Sequence, residues 1–215
     1  MTIPEEERVV TAKSIKDVYA DYASIGWNSF NYTITLSVFS ITAILQIISL
    51  FCRNPINEFN IQNIKLLSSI LPTIMQVSAG IIGIWIAGFT IFVSFSRSKI
   101  LVLMAKKKES KTGMNYLRYT FALFFGIVVH FITLLIISFL LHLSVSENGI
   151  LSFLGAIEDD ALIAIGNIIT HSIVIFIATY STFVFLLLKS VSFNLYNISG
   201  IVSEFNIVKH NNESK

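Results

Sequence analysis

The stretch AKKKESK, Ala105 to Lys111, holds four of the chain's fifteen Lys and Arg residues and lies between two of its most apolar runs. Its lysines either bind an acidic polymer such as nucleic acid or fix the direction in which the chain lies in a membrane. Working outward, the charges come in bunches. No Asp, Glu, Lys or Arg occurs between Asp21 and Arg53, from Leu66 to Ser96, from Tyr119 to Ser146, or from Ala161 to Leu188. Each gap exceeds the ~20 residues that an α-helix needs to cross ~30 Å of hydrocarbon. The sequence therefore predicts an all-α integral membrane protein with four transmembrane helices, over residues 27–51, 71–96, 119–143 and 161–188.

Composition agrees. Of 215 residues, 54% are hydrophobic and only 13% charged, against about 25% charged in soluble domains. Runs such as LLIISFLLHL do not alternate as the strands of a membrane β-barrel do. Four crossings put both termini on one side, together with the connection 97–118. That side carries Arg8, Lys13 and Lys16, then Arg97, Lys99, Lys106, Lys107, Lys108, Lys111 and Arg118, then Lys189, Lys209 and Lys215; the other carries Arg53 and Lys65. Lys and Arg near span ends stay in the cytoplasm, so both termini are expected on the cytoplasmic side. AKKKESK is then first a topology signal. Lys106, Lys107, Lys108 and Lys111 are expected to meet membrane lipid or a cytoplasmic partner. A net charge of +2, with no zinc or helix-turn-helix signature, argues against direct nucleic-acid binding.

The expected domains are a cytoplasmic amphipathic helix within 1–26, the transmembrane domain 27–188 and a cytoplasmic helical tail 189–215. MTIPEEERVV lacks the basic start and short apolar core of a signal peptide. Pro4 and Glu5 to Glu7 read as a helix start. Ile15, Val18, Tyr19 and Tyr22 recur at helical spacing, opposite Lys13, Asp17 and Asp21, so this helix is expected to lie on the membrane or dock on protein. Gly200 is expected to kink the tail. The single Cys52 has no partner for an internal disulfide.

Two features of the spans stand out. Ala79, Gly83 and Ala87 are four residues apart, and Gly80 and Gly88 widen the groove they form, so another backbone can come close. The guest is either a helix of the same bundle or a second subunit. His130 lies in the third span, and Asn167 and His171 lie four apart in the fourth. At 1.5 Å per residue the two histidines differ in depth by about 5 Å, near enough to face one another. Intramembrane ionisable groups are functional candidates; the bland alternative is histidines satisfied by packing.

Motifs for chemistry do not appear: no HExxH, GxSxG, phosphate-binding loop or Cys/His metal spacing. A non-enzymatic protein with no cofactor is expected. The run AGIIGIWIAGFTIFVSFSRSKI, its lysine-rich continuation and YLRYTFALFFGIVVHFITLLIISF resemble, over residues 75–140, small four-helix membrane proteins encoded in bacterial antiphage defence loci, a class that includes the membrane subunit of the Kiwa system. The resemblance implies an inner-membrane protein that oligomerises and either senses envelope disturbance for a cytoplasmic partner or itself disrupts the membrane. It carries over no functional residue. Two functions follow as expectations: a sensor or anchor holding a cytoplasmic effector, or an oligomeric pore lined by the Ser/Thr-rich first span or by the histidine face.

Overall fold

The computed structural model describes residues 15–25, 29–52, 61–95, 98–109, 112–146, 149–154 and 159–213. They form seven helices: α1 (Ile15–Ser24), α2 (Ser29–Cys52), α3 (Ile61–Phe95), α4 (Ser98–Lys106), α5 (Tyr116–Val145), α6 (Ile150–Leu154) and α7 (Asp160–Glu213). Four are long and apolar enough to cross a membrane, over Ser29–Phe51, Ile61–Ser94, Tyr116–Val145 and Asp160–Ser192. The protein is an all-α, multi-pass membrane protein. Lipid offers no partner for backbone N–H and C=O groups, so apolar segments of this length close their hydrogen bonds internally as helices.

Helix starts follow local chemistry. Asn115 caps α5: its Oδ1 accepts from Arg118 N at 2.7 Å. Asp159 caps α7, with Oδ1 accepting from the backbone N–H groups of Ala161 and Leu162, as carboxylates favour the positive end of a helix. α3 begins at Ile61, ten residues before its expected start, because Pro72 lies inside the helix rather than at its opening. The proline removes one N–H. Around it the hydroxyls of Ser68, Ser69 and Thr73 donate to the carbonyls of Lys65, Leu66 and Ser69. α7 runs through Gly200 without a break for 54 residues, about 80 Å at 1.5 Å per residue. Gly200 does not end the helix. After α3 comes α4, over Ser98–Lys106, and the helix start expected at Pro4 falls outside the described residues.

The chain divides into two compact units, one of Met1–Asn28, Trp85–Val129 and Leu187–Lys215, the other of Ser29–Ile84 and His130–Leu186. In the second, Leu67 and Leu71 of α3, Val145 of α5, Leu151 of α6, and Val174 and Ile177 of α7 form one core. Phe131 and Phe185 meet edge to face at 5.9 Å. α2 is different. No residue in its most apolar window is buried, against 33% in α5 and in α7. Two amide contacts tie it to the rest of its unit, Asn31 Nδ2 to Leu186 O and Asn63 Nδ2 to Gln46 Oε1. In the first unit, Trp85 and Phe89 of α3 stack on Phe124 of α5 at 5.8 and 4.0 Å, and Met104 of α4 packs on Leu117 of α5.

Candidate functional site: packing faces and a basic hairpin

Ala79, Gly80, Gly83, Ala87 and Gly88 are all exposed on α3. A Cβ added at Gly80, Gly83 or Gly88 would have nothing within 4 Å. The opposite face of α3 carries the buried Leu67, Leu71 and Ser78. Of the two guests the sequence allowed, a helix of the same bundle does not occupy this groove among the described residues.

Asn167 and His171 are brought together. His171 is 6% exposed, and its Nδ1 lies 2.7 Å from Asn167 O. A carbonyl only accepts, so Nδ1 carries the hydrogen. The Thr170 hydroxyl donates to the same oxygen at 3.0 Å. His130 meets a different group. Its Nδ1 is 3.2 Å from the Tyr180 hydroxyl, and its ring stands edge-on to Phe183 at 5.3 Å. Tyr180 is nine residues beyond His171, roughly 13 Å along the helix, so each imidazole is engaged at its own level. Depth counted from span ends places residues along the membrane normal and does not say which side chain of the facing helix each one meets.

The described residues on either side of 110–111 are hydrogen-bonded to one another. Glu109 N donates to Met114 O, Gly113 N to Glu109 O and Tyr116 N to Lys107 O. Lys108 and Asn115 form an antiparallel bridge. Glu109 Oε2 accepts from Thr112 N at 2.7 Å and from Thr112 Oγ1 at 2.9 Å. Gly113 turns the chain with φ at 70°, in the left-handed region that favours glycine. Lys106, Lys107 and Lys108 are exposed on this hairpin; Lys111 falls outside the described residues.

Sequence reasoning missed the docking of α1. Asp21 Oδ2 and Oδ1 accept from Arg118 Nε and Nη2, both at 2.6 Å, a bidentate pair of the strong, planar kind. Beside it, a Cβ at Gly126 would collide with the Tyr22 ring. α1 thus contacts α5 of its own chain through Asp21 and Tyr22. The signal was present in Asp17 and Asp21 at helical spacing, but nothing in the sequence named Arg118 as their partner.

These features define a multi-pass α-helical membrane protein with a bare small-residue groove, an ordered basic hairpin and a docked amphipathic helix. No protein-family model, curated protein or solved structure matches the chain.

Proposed function

We propose that the chain is a non-enzymatic anchor and sensor of the bacterial inner membrane, with both termini cytoplasmic, that associates with copies of itself and holds a cytoplasmic effector. The observation that carries this reading is α7. It continues as one helix from its span, which ends at Ser192, to Glu213, about 30 Å past the apolar part. An ordered rod of that length is a handle for a protein partner. The bare groove of α3 supports self-association, since helices in lipid associate by close packing rather than by hydrophobicity. The antiphage setting enters through the resemblance over residues 75–140.

The pore reading has less support. The Thr33 and Ser37 hydroxyls of α2 donate to the carbonyls of Ser29 and Thr33 in their own helix, so they require no water-filled seam.

The test is a mild-detergent purification of the full chain from its host beside a chain ending at Ser192. A stoichiometric protein that accompanies the full chain and is lost with the truncated one is the expected result. A full chain that purifies with no other protein contradicts the anchor role.

A further inference from the structure

The contacts of α4 fix its level against the spans. Its inward residues Leu101, Met104 and Ala105 pack with Phe92 of α3 and with Tyr116, Leu117 and Phe121 of α5. Phe92 is near the end of one membrane-crossing segment, Ser94, and Tyr116 to Phe121 are the first turns of another. α4 therefore lies beside the ends of two spans, at the depth where acyl chains give way to headgroups, and not out in solution. On its outward side Val102 is 51% exposed, and Lys106, four residues on and on the same face, is exposed too. An apolar side chain one turn from a lysine at a span end is the pattern of an interfacial helix whose lysine reaches to the headgroups.

The hairpin then adds two lysines at that level. Tyr116 N donates to Lys107 O, which ties Lys107 to the first residue of the α5 span.

We propose that α4 and the hairpin are an interfacial platform on which Lys106, Lys107 and Lys108 bind the phosphodiester headgroups of anionic phospholipid. The platform rests on the reading of the chain as a membrane protein with this end at the cytoplasmic leaflet, and it names the lipid that the leaflet must supply.

The full-length protein and the triple variant Lys106→Gln, Lys107→Gln, Lys108→Gln are reconstituted in vesicles of phosphatidylcholine, with and without phosphatidylglycerol. Flotation comes first: a wild-type chain that does not float with either vesicle overturns the membrane reading and the platform with it. For chains that float, retained lipid is counted by native mass spectrometry in exchange against phosphatidylcholine. Wild type is expected to retain phosphatidylglycerol with at least a tenfold preference, and the triple variant to lose most of it. Lys65→Gln, a lysine of α3 outside the hairpin, is expected to behave as wild type. Equal retention by wild type and triple variant overturns the platform alone. So does displacement of the lipid by millimolar glycerol phosphate, which would make the site one for soluble anions. A triple variant that unfolds earlier than wild type in pure phosphatidylcholine also overturns it, because the lysines would then serve the fold.

Discussion

Gly126 of α5 and Gly83 of α3 are the same residue in two helices apolar enough to cross a membrane, yet their surroundings are opposite. Gly126 is buried, and the Tyr22 ring of α1 occupies the space its missing side chain leaves. Gly83 is exposed with nothing within 4 Å of where a Cβ would stand. In a membrane a small residue permits close approach by another element. At Gly126 that element belongs to the chain itself. At Gly83 it does not, and the difference marks which surface is spent on the fold and which is left bare.

The comparison can be broken by filling each groove. The largest effect is expected from Gly126→Leu, whose side chain would displace Tyr22. Overpacking of this kind costs about 1–3 kcal/mol, and hydrogen exchange over 15–24 should rise to that of an unprotected helix. If α1 keeps its protection, Tyr22 is not seated there. Next comes Gly83→Leu. It is expected to leave the thermal unfolding of the isolated chain unchanged while shifting the particle mass in mild detergent to the monomer. A variant that unfolds earlier but keeps its mass would place an intramolecular contact in the groove after all.

A smaller effect is expected at Arg118→Gln. The guanidinium is half exposed, 50%, although Asp21 is only 14% exposed, and exposed ion pairs contribute up to about 1 kcal/mol. Protection of α1 should fall by no more than that. Added salt should weaken wild type toward the variant and leave the variant unaffected. The smallest is Tyr180→Phe, which removes the hydroxyl near His130. Hydrogen bonds between membrane helices contribute about 0.6 kcal/mol on average, so a loss of that order in unfolding free energy is expected, and a loss several times larger would indicate a wider network around His130.

The contrast also explains what was legible in the sequence. Charge-free gaps longer than a bilayer is thick revealed all four spans, because burying a charge in lipid is costly enough to leave a mark at every position. Helical spacing placed Asn167 and His171 on one face, but the contact His171 makes is with the backbone carbonyl of Asn167, which any residue there would offer. Small residues four apart showed that α3 has a groove but not whose helix fills it, since spacing describes one surface and not its partner. The same limit hid Tyr180 from His130 and Arg118 from Asp21, residues 97 positions apart. Span ends were read less well: charge-free gaps mark the apolar part of a helix, and α3 starts ten residues earlier, at Ile61.

The most direct test of the account is disulfide cross-linking between copies in native membranes, in a Cys52→Ser background that removes the single natural cysteine. Gly83→Cys and Ala87→Cys on the bare groove are compared with Ile44→Cys on α2, which is 56% exposed but outside the groove. The account predicts dimers from Gly83→Cys and Ala87→Cys and none from Ile44→Cys. Dimers from Ile44→Cys alone, or equal yields at all three positions, would contradict it.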